Sequence, residues 1–183
     1  DVGILSFNGN KSITSGAGGA LMTKSAAMAK RAKHLTTTAK VAHPYEYEHD
    51  ELGYNYRLSN LNAALGCAQL LKLPAVLTDK KRVADAYRQF FAGSDWRFFV
   101  PSLPQESNFW LNTLICPDET QKNALIEYAA EQGVMMRPGW QLMYRLPMYR
   151  DAIRLETPNA EWAYRRIVNI PSSARASCLG ETD

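Results

Sequence analysis

The first residues constrain the chain more than any other feature. Asp1 is followed at once by Val2-Gly3-Ile4-Leu5-Ser6-Phe7, an apolar run with the length and composition of a buried strand. Domains rarely begin inside a buried strand, so this one is expected to belong to a larger fold with further chain upstream. A polar loop, Asn8-Gly9-Asn10-Lys11, comes next, and then Thr14-Ser15-Gly16-Ala17-Gly18-Gly19. Such a glycine cluster signals tight turns or a close backbone approach. Ala20-Leu21-Met22-Thr23 reads as a second short strand, so the two are expected to form a glycine-linked pair.

Residues 25–35 have helical character, with Ser25 placed to cap the first turn. Residues 36–56 lack periodicity and are rich in Tyr, His and acidic residues. A loop of that length inside a compact protein is usually functional or part of an interface. Beyond Ser59, the stripe Leu61, Ala64, Leu65, Ala68 and Leu71 predicts a helix that ends before Pro74. A second helix follows, with Val76, Val83, Tyr87 and Phe90 on one face. The remainder reads as a smaller α/β unit, with a strand over 109–115. Asp118-Glu119-Thr120-Gln121 resembles a capping box and opens a helix that stops at Gly133. A strand over 134–137 is halted by Pro138; a helix near 161–166 and a strand over 167–170 close the pattern. The domain junction is placed near Leu73-Pro74.

Composition excludes several classes. The 183 residues are 46% hydrophobic and 21% charged with net charge +3, an ordinary globular balance. The cations are dispersed. Lys30-Arg31-Ala32-Lys33 and Asp79-Lys80-Lys81-Arg82 are expected to be solvated helix faces, and no nucleic-acid partner is expected. No apolar run approaches the ~20 residues of a membrane helix, and no signal-peptide pattern is present. The expectation is a soluble, cytoplasmic protein with no membrane partner. Cys67, Cys116 and Cys178 are far apart and form no CxxC pair, so they are expected to be reduced thiols. His34, His43 and His49 lack the spacing of a compact ligand pair, and no metal site is expected. Phe109, Trp110, Trp140, Tyr144 and Tyr149 suit a core or an interface.

Lys11 has two readings. A lysine on a loop just after a strand is most often a surface amine beside a turn. The functional reading is an amine set to form a Schiff base with a carbonyl group. Spacing alone leaves both open.

A resemblance separates them. Ser6-Phe7-Asn8-Gly9-Asn10-Lys11, with Thr14, Gly16-Ala17-Gly18-Gly19 and Thr23, resembles the pyridoxal-phosphate lysine segment of the DegT/StrS-type sugar aminotransferases. Gly53-Tyr54-Asn55-Tyr56-Arg57-Leu58-Ser59-Asn60-Leu61-Asn62-Ala63-Ala64 is similar to that family's second signature. His34-Leu35-Thr36-Thr37-Thr38-Ala39-Lys40, Arg137-Pro138, Leu146-Pro147-Met148-Tyr149 and Asn169-Ile170-Pro171-Ser172-Ser173 resemble its LegC-like branch. Ala17 departs from the glutamate that many members carry between the two glycines.

The resemblance implies an α/β fold of the aspartate-aminotransferase type (fold type I). That fold pairs a large domain built on a mostly parallel sheet with a small α/β domain. This chain would supply the C-terminal half: 1–73 as the end of the large domain, with the lysine segment and a dimer-contact loop, and 74–183 as the small domain. It implies pyridoxal 5'-phosphate as cofactor, carried by Lys11, with Ser6 and Asn55 on the cofactor phosphate, Asn55 reaching across a homodimer. It also implies ping-pong transamination from an amino-acid donor, glutamate, to a nucleotide-linked keto-sugar. Trp140 or Tyr144 would line the sugar-nucleotide site. In the family, the acid on the pyridine nitrogen and the aromatic on the ring lie upstream of the lysine. The chain is therefore not expected to transaminate alone. The alternative is a non-catalytic protein of the same fold that dimerises or binds a nucleotide-sugar. Dehydratases of this fold replace the lysine by histidine, whereas Lys11 is kept here.

Overall fold

A computed structural model describes residues 1–101 and 107–175. The chain divides into two compact units, Asp1–Leu73 and Pro74–Asp183.

In the first unit, strands β1 (Val2–Ser6) and β2 (Gly19–Thr23) pair antiparallel, with Val2 opposite Thr23 and Ser6 opposite Gly19. The glycine-linked pair is as expected, but its burial is not. All five residues of β1 are exposed, Ile4 to 72%. A two-stranded ribbon has two faces and too little neighbouring structure to cover both. Helix α1 (Ala26–Thr36) begins at the expected cap, where Ser25 Oγ accepts from the Met28 N–H at 3.3 Å. The segment after it is irregular, with isolated bridges joining Thr37 to Asn55 and Lys40 to His49.

Helix α2 (Asn60–Phe90) corrects one expectation. Its 31 residues run unbroken through Pro74, where the sequence predicts a stop and a second helix. The proline's missing N–H releases the Leu70 carbonyl, and this stretch is exposed enough for water to take it. Thr78 Oγ1 donates to the Pro74 carbonyl at 3.0 Å. By length and composition α2 is also apolar enough to cross a membrane, which the sequence does not suggest. Its polar residues serve the fold instead, since Asn62 donates to the Ser15 carbonyl.

In the second unit, β3 (Arg97–Phe98), β4 (Asn112–Ile115), β5 (Arg137–Pro138) and β6 (Ile167–Ile170) form an antiparallel sheet in the order β3-β4-β6-β5. Among the described residues no two strands pair parallel. Leu114 lies opposite Val168, and these two with Cys116 and Ile170 form the core against Tyr87, Phe98, Leu125 and Ile126. Burial pushes the Cys116 thiol up to about 11, so it is an inert packing residue. Cys67 is exposed, and Cys178 lies outside the described residues.

Helix α3 (Glu119–Glu131) opens as its sequence predicts. Asp118 Oδ1 accepts from the Gln121 N–H at 2.8 Å, and Gly133 ends the turn at φ 71°. Two 3-10 turns, Met143–Arg145 and Pro147–Tyr149, precede helix α4 (Pro158–Tyr164). The strand expected over 134–137 shrinks to Arg137–Pro138. Pro138 belongs to the strand because an edge position tolerates the missing donor.

The run Asp79-Lys80-Lys81-Arg82 is solvated only in its second half, at Lys81 and Arg82. Asp79 is 3% and Lys80 6% exposed. Asp79 accepts from the Arg175 N–H at 2.8 Å and from the Arg175 and Arg82 guanidinium groups at 3.0 and 3.1 Å. Those bonds, led by the Arg175 backbone N–H, hold its carboxyl below the usual range. Lys80 Nζ donates to the Ser172 carbonyl at 2.5 Å, while burial pushes its ammonium down. Together they bind the segment after β6 to α2.

Candidate active site

The turn that bears Lys11 is shaped by backbone bonds and by short side chains that bond to the backbone. Past Ser6 the hairpin continues, with the Phe7 N–H donating to the Gly18 carbonyl at 3.0 Å. The loop then folds back on itself. The Phe7 carbonyl accepts from the Ser15 N–H at 3.1 Å and from Thr14 Oγ1 at 3.0 Å. The Gly16 N–H donates to Thr14 Oγ1 at 2.8 Å, and Ser15 Oγ to the Ala17 carbonyl at 2.5 Å. Ser15 is completely buried, and Asn62, near the start of α2, holds its carbonyl. Ser59 caps that helix by accepting from the Asn62 N–H at 3.3 Å.

Two glycines are required here. Gly18 sits at φ 91°, in the left-handed region, and a side chain on it would meet Leu58 Cδ1 at 2.6 Å. A side chain on Gly19 would collide with the Leu5 carbonyl across the ladder. The glycine cluster therefore marks a close backbone approach.

Ser6 and Lys11 share one turn. The Lys11 N–H donates to the Asn8 carbonyl at 3.0 Å, and the Asn8 N–H reaches Ser6 Oγ at 3.4 Å. Ser6 is exposed and Lys11 half-buried. Beside Lys11, Ser12 Oγ is buried with no hydrogen-bond partner.

Asn55 is positioned by a different element. The Tyr54 N–H donates to the Leu35 carbonyl at 2.7 Å, and the Tyr56 N–H to the Thr36 carbonyl at 2.9 Å. The Thr38 N–H returns to the Tyr54 carbonyl at 3.0 Å. In so extended a segment, alternate residues share a side. Tyr54 and Tyr56 stack at 5.2 Å, and Asn55 with Arg57 belongs to the other side. A cleft of about 610 Å³ opens between the hairpin and residues 56–62, and a second of about 460 Å³ lies along 37–44. Neither is lined by Ser6, Lys11 or Asn55.

The histidines turn out to be structural ties. His34 Nε2 lies 2.7 Å from Asp50 Oδ1, and with Glu51 the three offer ligand atoms within 4.8 Å of one another. Arg31 already neutralises Glu51 through a two-point contact, one arm at 2.6 Å, and this hydrogen bonding holds the Glu51 carboxyl below its ordinary range. The group therefore fastens residues 50–51 to the last turns of α1. His49 Nδ1 meets the Thr38 carbonyl at 2.6 Å.

Sequence reading missed Ser12, Ser15 and Asn62. The Asn62–Ser15 bond spans 47 positions, and no local pattern announces such a pairing.

The pattern that defines the DegT/DnrJ/EryC1/StrS aminotransferase family matches residues 1–177. The chain belongs to that family. GDP-perosamine synthase of Vibrio cholerae is 32% identical to it over 175 residues, which are 94% of this chain and 47% of that protein. The Escherichia coli O157:H7 GDP-perosamine synthase is 30% identical over 172 residues, 94% of this chain and 46% of that protein. The chain thus spans about half the length of these relatives. Its fold is that of Helicobacter pylori PseC, an aminotransferase involved in the biosynthesis of pseudoaminic acid. The TM-score is 0.88 at 22% identity, over 98% of this chain and 50% of PseC. Spr1654 of Streptococcus pneumoniae, solved in its PLP-form, superposes with a TM-score of 0.86 at 22% identity, over 95% of this chain and 47% of its own. The family expected from the lysine segment is the one that matches, and the fold is the expected α/β type.

Proposed function

We propose that this chain provides the lysine-bearing half of a pyridoxal-phosphate-dependent aminotransferase. The intact fold moves an amino group from an amino acid, glutamate, to a nucleotide-linked keto-sugar in amino-sugar and surface-glycan biosynthesis. The observation that carries the reading is the turn in which Ser6 and a half-buried Lys11 share Asn8, in a chain of this family. The residues fit the cofactor. A primary amine, an adjoining hydroxyl and the orphaned buried Ser12 Oγ are a donor set suited to a phosphorylated aldehyde. Bound pyridoxal phosphate supplies an electron sink for charge developing on the substrate carbon.

The chain's own residues would do the rest. Lys11 Nζ would hold the cofactor, and its amine would take and return the substrate proton as general base and acid. The Ser6 hydroxyl donates to the cofactor phosphate. The Asn55 amide donates to the phosphate of a neighbouring subunit, so the enzyme is a homodimer. Residues 1–73 act as the end of the large cofactor-binding domain and 74–183 as the small domain. The enzyme is soluble and cytoplasmic.

Borohydride reduction of the chain with pyridoxal phosphate, followed by peptide mapping, tests the assignment. The expected product carries the pyridoxyl group on Lys11. Equal labelling of helix-surface lysines such as Lys30 and Lys33 would contradict it.

A further inference from the structure

The loop that presents Lys11 is closed at its base and tied to a helix. The Ser15 N–H donates to the Phe7 carbonyl at 3.1 Å, and Lys11 stands midway along the chain between those two residues. On the Phe7 side the loop runs back into β1. On the Ser15 side it meets the first turns of α2. Asn62 Nδ2 donates to the Ser15 carbonyl, while Asn62 Oδ1 accepts from the Ser59 hydroxyl. The Ser59 oxygen in turn accepts from the Asn62 N–H at 3.3 Å. These partners fix which way the amide points, because a carbonyl only accepts and must face the nitrogen end.

Packing supports the same contact. Asn62 and Gly66 share one face of α2, a turn apart. A methyl group on Gly66 would touch Ser15 Cβ at 3.5 Å, and one on Gly16 would come within 3.4 Å of Asn62 Nδ2. Ser15 is completely buried, so no solvent stands ready to replace the amide. Its hydroxyl is already spent on the Ala17 carbonyl at 2.5 Å. A buried carbonyl stripped of its donor bears the full cost of desolvation, and the loop would have to open to relieve it.

We propose that Asn62 is a positioning residue, whose amide, donated to the Ser15 carbonyl, fixes the loop that holds the Lys11 amine toward the cofactor. The assignment rests on the aminotransferase reading and gives α2 a part in it. Asn62 acts through Ser15 and not by touching the cofactor. An amine that must meet a carbonyl carbon tolerates an error of about 0.5 Å, and a misplacement of about 1 Å costs on the order of a hundredfold in rate. A loop pinned only at its Phe7 end would leave Lys11 free to swing by more than that.

Competitive acetylation of the full chain without cofactor, mapped by peptide against Lys30 and Lys33, tests the positioning directly. Asn62→Ala removes the bond. Asn62→Asp keeps the shape and the Ser59 contact but cannot donate, and it serves if the alanine variant fails to fold. Ser25→Ala, which weakens α1 in the same unit, is the control. In the Asn62 variants, acetylation of Lys11 relative to Lys30 is expected to rise about three- to tenfold. Saturating the long-wavelength absorbance of pyridoxal phosphate should take about tenfold more cofactor. Ser25→Ala should move neither reading. Acetylation unchanged in both Asn62 variants overturns the proposal, as does an equal rise in Ser25→Ala, which would reduce the effect to general stability. Raised acetylation with normal saturation also overturns it, because Asn62 would then be a structural tie alone. If the unmodified chain gives no such absorbance, the cofactor reading falls by itself, and the acetylation of Lys11 still decides whether Asn62 positions the amine.

Discussion

The two units solve the folding problem by different means. Unit Pro74–Asp183 has a core of its own. Leu114, Cys116, Val168 and Ile170 are sealed between the antiparallel sheet and its helices, and Val76, Ala84 and Ala129 are buried as well. Unit Asp1–Leu73 has, among the described residues, only Ser15 and Ala39 fully buried. Val2, Ile4, Leu5, Leu21 and Met22 of its hairpin are exposed. Its shape comes from hydrogen bonds, glycines and caps, and Ser6, Lys11 and Asn55, the residues proposed to touch the cofactor, lie in it. Burial carries the second unit, whereas backbone geometry carries the site.

The largest effect that would expose this difference is a cavity in the second unit. Leu114→Ala should cost about 2–5 kcal/mol in denaturant unfolding, while Ile4→Ala, on the exposed hairpin, should stay within about 0.5 kcal/mol. Similar losses at the two positions would erase the contrast. Gly19→Ala comes next, since its methyl group would meet the Leu5 carbonyl. It should cost about 1–3 kcal/mol and weaken pyridoxal phosphate binding, leaving the amide protection of β4 and β6 intact. Equal loss of protection in both units would show that they do not respond separately.

Acid should act through the second unit. Asp79 has a folded pKa below its ordinary value of 3.8, so its contribution is complete above that value. It is lost as pH falls through the lower folded value. Asp79→Asn should therefore be less stable near neutrality and show a flatter decline below pH 3.8, measured by thermal unfolding across pH. A decline as steep as in the unmodified chain would remove Asp79 from the account. A modest effect belongs to the first unit. Ser25→Ala should cost about 1 kcal/mol, read as a lowered midpoint for α1, and no change would mean that the cap bond contributes nothing.

The same contrast explains what could be read in advance. Local signals told the truth wherever a local contact decides. Ser25 and Asp118 cap the helices they precede, Gly133 ends α3, and Ile167–Ile170 is a strand over its predicted length. The failures are long-range. Pro74 looks like a stop until the exposure of its helix is known. Asp79 and Lys80 look solvated until Ser172 and Arg175 arrive from about 90 positions away. At the candidate site, Lys11, Ser6 and Asn55 were named through a motif, and geometry adds the turn that Ser6 and Lys11 share. Ser12 and Asn62 escaped because an orphaned hydroxyl and a bond to a distant carbonyl leave no periodicity to detect.

The central claim is that Lys11 carries the cofactor. Titrating the purified chain with pyridoxal phosphate, with Lys11→Ala alongside, tests it most directly. The account predicts stoichiometric long-wavelength absorbance that disappears in the variant. Weak absorbance of equal size in both proteins would contradict it and leave Lys11 an ordinary surface amine.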